Sequence, residues 1–417
     1  MSDLFSEGHI RTVYENLKRR KFLDREKSLP IGIDGMSSVV FDKKLDFSIR
    51  EIQRKLILHE GELPYTFAPL LRITKNKLGG GARLLHIPRL RDQIVLRIVH
   101  DEIRKKMDEV FRDSNLKEYK SPYLLINDFD TFIQSKDNVI ILKTDLSQFY
   151  DSVPRKKAIE LCKLLNIDSR VIHILSKWSN TLSIRQSYMN NEKDISDFQG
   201  LPQGLSISSL LAELYAKQID SCFKQEEGFF RFVDDILIVC SSFEEANWKL
   251  ERLKEITHKL ELTLSKEKTE ILNFESGVKW LGLTHFPDKK VIQVDKILQS
   301  FKPIRSLQKQ CLFKINQSVD KEQKMAAIEE LIRNINKFVE GRRKVRLRWY
   351  ALCDDHGQWK DLDKYIHGVI RSCIRRARIS EDELSVCLPS IHAKVYSFKK
   401  MKESQKTPTK GDAPNVS

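Results

Sequence analysis

Two adjacent aspartates interrupt a run that otherwise belongs to a buried sheet. Arg231-Phe232-Val233-Asp234-Asp235-Ile236-Leu237-Ile238-Val239-Cys240 is aliphatic, β-branched or aromatic on both sides of the pair. Neighbouring carboxylates repel, and burial raises their pKa, so such a pair requires a compensating cation. Two strands joined by a tight turn place both aspartates at its tip, against an apolar floor. A hairpin turn that merely contains Asp has the same signature.

Val139-Ile140-Ile141-Leu142-Lys143-Thr144-Asp145 has the same character: a buried strand that ends on a carboxylate. An aspartate there is equally a helix cap or a turn starter. Two strand ends that each deliver a carboxylate suit two Mg²⁺ ions about 3.5–4 Å apart, the separation used for in-line phosphoryl displacement. Mg²⁺ takes oxygen ligands and keeps substrate phosphates in its shell, so the lack of a Cys/His cluster is no objection. Whether the two strands are neighbours is a tertiary property that neither segment carries.

Composition narrows the class. The 417 residues include 73 Lys plus Arg against 58 Asp plus Glu, a net charge of +15 that points toward a polyanionic partner. No apolar stretch approaches the roughly eighteen residues of a membrane span, so no membrane partner is expected. The start, Met1-Ser2-Asp3-Leu4, lacks a signal-peptide layout. Seven scattered cysteines (Cys162, Cys222, Cys240, Cys311, Cys353, Cys373, Cys387) contain no C-x-x-C, which fits a reducing cytoplasm better than a disulfide framework. Cys353-Asp354-Asp355-His356 has the spacing of no common zinc site and reads as a loop.

Along the chain, a basic helix carrying Arg19, Arg20 and Lys21 precedes a turn at Pro30 to Gly35. A helix near 45–60 follows, then two strands around Gly79-Gly80-Gly81, a hairpin signal. From about 137 to 283 the order strand, helix, hairpin, helix, strand describes a mixed α/β core. Beyond 290 apolar residues at helical spacing, Ile328, Leu331, Ile332, Ile335 and Phe338, describe a helical region. Residues 404–417, rich in Lys, Pro, Gly and Ser, read as a disordered tail.

With these residues in view, the chain resembles the reverse transcriptases. Phe232-Val233-Asp234-Asp235 is similar to their F/Y-x-D-D motif, and Asp145 through Tyr150 to the preceding D-x-x-x-x-F/Y motif. Between them Gly200-Leu201-Pro202-Gln203-Gly204-Leu205-Ser206-Ile207-Ser208 resembles G-x-P-Q-G-x-x-x-S. Downstream, Leu264 to Thr269 resembles the next family motif, and Trp280-Leu281-Gly282-Leu283 the hairpin that grips the primer. Each string is weak alone; five in the right order are specific. Gly32 to Ser37, Lys75 with Arg83 to Pro88, and Asp92 to Val95 resemble the N-terminal elements of group II intron-type bacterial enzymes. Asn334 to Phe338, Arg348-Trp349-Tyr350 and Leu362 to Ile366 resemble their helical thumb. Three features depart from the intron pattern. Ser208-Ser209 stands for the usual Ser-Pro, Ala212-Glu213-Leu214-Tyr215 stands for A-N-x-Y, and the sequence has no H-N-H endonuclease or zinc-finger segment. In these respects it is more similar to the bacterial defence-associated, unknown-group and abortive-infection-type reverse transcriptases.

The resemblance implies an α+β right-hand polymerase: fingers within 1–135, a palm with an antiparallel sheet within 136–290 carrying interleaved finger segments at about 155–200, and a helical thumb within 291–403. It implies that Asp145, Asp234 and Asp235 bind two Mg²⁺ ions, that Lys75 and Arg83 fold over the triphosphate, and that Gln203 contacts nucleotide or template. Tyr150 takes the steric-gate position, where an aromatic ring leaves no room for a 2′-hydroxyl. Lys268 is either the acid that protonates leaving pyrophosphate or one half of a surface ion pair with Glu267 or Glu270. Arg342, Arg343, Lys344, Arg346 and Arg348, beside Trp349, are expected to hold a duplex or structured RNA. The function expected is RNA-directed DNA synthesis from dNTPs in anti-phage defence, with a structured non-coding RNA as template and DNA as primer or product. The alternatives are a group II intron reverse transcriptase and maturase, and a non-catalytic RNA-binding scaffold.

Overall fold

The run from Val139 to Leu142 has no polar residue to offer solvent, and its side chains are buried at 7% exposure or less. It anchors the sheet on which the rest of the site is assembled. The computed structural model describes residues 3–23, 29–57, 65–76, 82–112, 122–134, 136–186, 193–196, 200–223, 228–340 and 352–380. The turn Gly79 to Gly81, the basic run Arg342 to Trp349 and the tail 404–417 lie outside these residues.

In chain order the elements begin with α1 (Glu7–Leu23), α2 (Ser38–Asp42), α3 (Leu45–Leu56), β1 (Leu70–Asn76), β2 (Ala82–Ile87) and α4 (Leu90–Arg112). Next come α5 (Pro122–Ile133), β3 (Ile140–Asp145), α6 (Phe149–Ser152), α7 (Arg155–Lys163), α8 (Ser169–Trp178), β4 (Ser183–Gln186) and β5 (Lys193–Ser196). They continue with α9 (Ser206–Cys222), β6 (Phe229–Phe232), β7 (Asp235–Cys240), α10 (Phe243–Lys259) and β8 (Glu270–Asn273). The last are β9 (Val278–Trp280), β10 (Leu283–His285), β11 (Lys290–Ile292), α11 (Val294–Gln317), α12 (Lys321–Glu340) and α13 (His356–Ala377).

The chain divides into two compact units. The first comprises residues 1–119 and 142–271, and the second 120–141 and 272–417. Two four-stranded sheets, ordered β2-β1-β4-β5 and β6-β7-β3-β8, belong to the first unit apart from the outer ends of β3 and β8. In the former, two hairpins far apart in sequence are joined by a parallel pairing of β1 with β4, Leu70 opposite Ser183. In the latter, β7 lies between β6 and β3, so the two strands that carry the aspartates are adjacent. Behind them α9 is apolar along most of its length. Leu210, Leu211, Leu214 and Tyr215 are all buried, and the Tyr215 hydroxyl donates to the Leu260 carbonyl at 3.0 Å.

The second unit has a three-stranded antiparallel sheet, β11-β10-β9, and a helical part whose core joins α11, α12 and α13. Ile328, Leu331, Ile332 and Ile335, spaced at three and four, turn one face of α12 into that core. Asp355 caps α13 by accepting from the Gly357 amide at 2.7 Å, and Asp354 accepts from the Lys290 amide. The Cys353 to His356 segment therefore starts a helix. Among the described residues no helix is long and apolar enough to cross a membrane.

Candidate active site

β6 and β7 are joined by the two residues Val233 and Asp234, with Phe232 paired to Asp235 across the hairpin. Val233 occupies the left-handed region at φ 61°. The first position of such a turn favours glycine, and a β-branched residue there costs about 1–3 kcal/mol that the surroundings must supply. Two hydrogen bonds hold it. Arg231 Nη1 donates to the Val233 carbonyl at 2.9 Å, and the Leu146 amide donates to the Asp234 carbonyl at 2.9 Å. The second bond ties the turn directly to the residue after Asp145. Asp145, Asp234 and Asp235 are thereby gathered at one end of one sheet.

Asp234 and Asp235 are held against their electrostatic preference. Asp234 is pushed up by burial and by the neighbouring charge of Asp145, with Lys268 and Arg83 opposing. Burial pushes Asp235 up to about 7, against the pull of Lys143 and with the repulsion of Asp145 and Asp234. Asp235 Oδ1 is a buried acceptor with no hydrogen-bond partner among the described residues. Lys268, in the short helical turn Lys266–Lys268, places Nζ 2.8 Å from Asp145 Oδ2. That bond raises the Lys268 pKa, with Asp234 and Asp235 adding to it. Glu270 pairs instead with Lys143, at 3.3 Å. The position of Lys268 rests on backbone bonds beside β3, from the Ser265 amide to the Asp145 carbonyl (2.7 Å) and from the Ser147 amide to the Thr263 carbonyl (2.8 Å).

A buried acceptor without a donor, and carboxylates raised by burial and mutual repulsion, are the donor set that a hard divalent cation satisfies. Among the described residues no three ligating side chains close into a ready-made cage. Such an arrangement suits Mg²⁺, which keeps water and substrate phosphates in its shell.

The residues expected at the nucleotide, Lys75, Arg83, Tyr150 and Gln203, lie in the same unit. Phe149 is buried, whereas Tyr150 is half-exposed and its hydroxyl donates to Ser209 Oγ at 3.4 Å. Ser209, where the resembling enzymes have proline, is thus the partner of the candidate gate. Gln203 accepts from the His86 amide at 2.8 Å through its carbonyl, and its side-chain amide lies 3.4–3.5 Å from the Asp151 carboxylate. Gly200 permits this approach: a Cβ there would overlap the Asp151 backbone. Lys75 and Arg83 face each other directly across β1 and β2, both exposed. The Arg83 charge opposes the rise in the Asp234 pKa.

Arg231, Glu213, Lys217 and Asp220, none of which the motifs single out, form a largely buried ionic cluster beside the Val233 turn. Two signals were available: an arginine among Phe229, Phe230 and Phe232, and Glu213 in place of the usual Asn.

These elements make the α+β right-hand polymerase fold. Residues 73–285 match the reverse transcriptase (RNA-dependent DNA polymerase) family, and the chain belongs to that family. It is 25% identical over 221 residues to an uncharacterised 91 kDa protein in the cob intron of Schizosaccharomyces pombe, a match that covers 52% of this chain. The match covers 25% of the length of that curated relative. Among solved structures, apo telomerase from Candida tropicalis aligns at a TM-score of 0.49 and 13% identity, covering 89% of this chain and 74% of the telomerase. Telomerase from Candida albicans, in complex with the TWJ fragment of telomeric RNA, aligns at 0.47 and 11% identity, with coverages of 89% and 71%.

Proposed function

We propose that this chain is an RNA-directed DNA polymerase that extends a 3′-hydroxyl with deoxynucleotides. The observation that carries the reading is the adjacency of β3 and β7, with Asp145, Asp234 and Asp235 at one sheet end and Lys268 bound to Asp145. Asp145, Asp234 and Asp235 hold divalent cations. Two Mg²⁺ ions bound there lower the pKa of the primer hydroxyl and neutralise triphosphate charge. Lys75 and Arg83 clamp the triphosphate, the lysine as a mobile point charge and the arginine as a bidentate fork. Tyr150, tethered to Ser209, closes the space that a 2′-hydroxyl would need. Gln203 lines the nucleotide position from the loop beneath. Lys268, protonated and aimed at the carboxylates, is placed to pass a proton to leaving pyrophosphate.

The departures at Ser209 and Glu213 support a bacterial defence enzyme with a structured non-coding RNA as template. The relative in the cob intron supports a second reading, an intron-encoded reverse transcriptase and maturase. Sequencing the RNA that co-purifies with the protein separates the two, because intron RNA supports only the second. Primer extension tests the chemistry itself. The double variant Asp234→Ala/Asp235→Ala is expected to lose DNA synthesis by at least about 10³-fold, the scale set by losing transition-state charge stabilisation. A double variant as active as the parent rejects the polymerase reading and leaves an RNA-binding scaffold.

A further inference from the structure

We propose that Arg231 is a positioning residue that holds the Val233-Asp234 turn in its metal-binding form, and that Glu213 and Asp220 exist to aim it. The proposal rests on the reading of Asp234 and Asp235 as metal ligands.

A guanidinium carries five N–H donors in a fixed plane. In this chain all five are used. Nε and Nη2 donate to the two oxygens of Asp220 at 2.6 and 2.8 Å, and Nη1 and Nη2 donate to the two oxygens of Glu213 at 3.1 and 2.9 Å. The fifth N–H, on Nη1, leaves the cluster and reaches the Val233 carbonyl at 2.9 Å. The side chain is only 3% exposed, so these bonds are made out of competition with water. Glu213, Lys217 and Asp220 occupy one face of α9 at spacings of four and three, and Lys217 Nζ lies 3.3 Å from Asp220 and 3.8 Å from Glu213. Two carboxylates thus balance two cations.

A neutral buried cluster of this kind is a poor device for stability alone, since apolar side chains of similar volume commonly do as well. Its geometry is better suited to specifying one conformation. Two bidentate contacts fix the guanidinium plane against α9, and the remaining donor fixes the carbonyl of a β-branched residue at φ 61°. On the other side, the Leu146 amide fixes the carbonyl of Asp234. Both central carbonyls of the turn are therefore pinned, one to the helix through Arg231 and one to the strand that ends on Asp145. Released from Arg231, the turn keeps only the Leu146 bond, which leaves the left-handed Val233 under-supported and lets the Asp234 and Asp235 carboxylates shift with it.

The test is Mn²⁺ binding, measured by titration calorimetry on the full chain, alongside primer extension as a function of Mg²⁺. Arg231→Lys keeps the charge and loses the fork. It is expected to weaken Mn²⁺ binding and raise the Mg²⁺ midpoint by roughly tenfold, the usual effect of removing a group that orients metal ligands, with the KM for dNTP little changed. Val233→Gly removes the cost of the left-handed backbone, so Arg231→Lys/Val233→Gly is expected to recover most of that loss. A merely structural arginine gives a lower melting temperature with an unchanged Mn²⁺ affinity, and no recovery by glycine; that result overturns the proposal. If Arg231→Lys does not fold, Glu213→Gln reads the same quantity, because it weakens one arm and leaves the Asp220 fork. Unchanged Mn²⁺ affinity in a folded Glu213→Gln also counts against it. Binding that weakens in these variants while the parent makes no DNA sustains the positioning role and rejects the polymerase. Parental Mn²⁺ binding that survives Asp234→Ala/Asp235→Ala rejects the metal site and the proposal together.

Discussion

At the scale of single residues, the site stores electrostatic strain that should be visible in stability. Asp235 is held near 7 by burial against an ordinary value of 3.8, and the unfolded chain returns it to that ordinary value. Between about pH 4 and 7 the folded state therefore binds a proton that the unfolded state has lost. Stability of the metal-free protein falls as pH rises through that window, by up to about 4 kcal/mol before solvent screening is discounted. Asp235→Asn removes the titrating group. In chelator, the variant is expected to melt higher than the parent at pH 8 and to lose most of the parent's decline between pH 5 and 8. Parallel curves for the two proteins would show that Asp235 is not strained. The aspartates themselves were legible in the sequence because charge inside a β-branched run is a local anomaly. The cluster around Arg231 was not. Glu213, Lys217 and Asp220 at helical spacing look the same on a solvated face, and it takes tertiary partners, Arg231 of β6 and Phe111 of α4, to cover them.

At the scale of elements, the loop before α9 illustrates what a motif conveys and what it leaves open. Gly200-Leu201-Pro202-Gln203-Gly204 was legible as a close backbone approach, but its partners were not: the Asp151 backbone beside Gly200, the Tyr150 carbonyl accepting from the Leu201 amide at 2.7 Å, and the His86 amide donating to Gln203. Those partners come from two other segments, around His86 and at Tyr150-Asp151, each about fifty residues or more from the loop, and no local pattern encodes such meetings. The same holds for β1 beside β4, which joins two hairpins that each read as independent. Gly200→Ala is expected to destabilise the chain by roughly 1–3 kcal/mol in urea unfolding, because the Asp151 backbone cannot yield as a flexible side chain would. It is also expected to raise the KM for dNTP by displacing Tyr150 and Gln203. Gly8→Ala in α1, where an added Cβ meets nothing, serves as the control and should be neutral or stabilising by up to about 1 kcal/mol. If both alanines behave alike, the packing argument for the loop fails.

At the scale of the whole molecule, the +15 charge acquires a distribution once the acidic residues are located. Asp145, Asp234 and Asp235 concentrate negative charge in the first unit, and Glu213 and Asp220 are neutralised internally by Arg231 and Lys217. That internal pairing cancels and leaves the net figure unchanged, whereas setting aside the three site aspartates leaves the rest of the chain with a net charge of +18 to meet a polyanion. Arg342, Arg343, Lys344, Arg346 and Arg348 bring five cations within seven residues, beside Trp349. Counterion release converts phosphate contacts into a salt dependence: each neutralised phosphate adds about 0.7 to the log–log slope for single strands and about 0.9 for duplex DNA. If all five side chains contact a single strand, replacing them with glutamine lowers the slope by about 3.5. RNA affinity at low salt falls with it, while dNTP affinity, for which we propose Lys75 and Arg83, is expected to stay unchanged. Filter binding across a salt series measures the slope, and nucleotide KM measures the second quantity in the same variant. An unchanged slope assigns 342–348 to ordinary surface charge, and a matching loss of dNTP affinity assigns the defect to folding rather than to RNA contact.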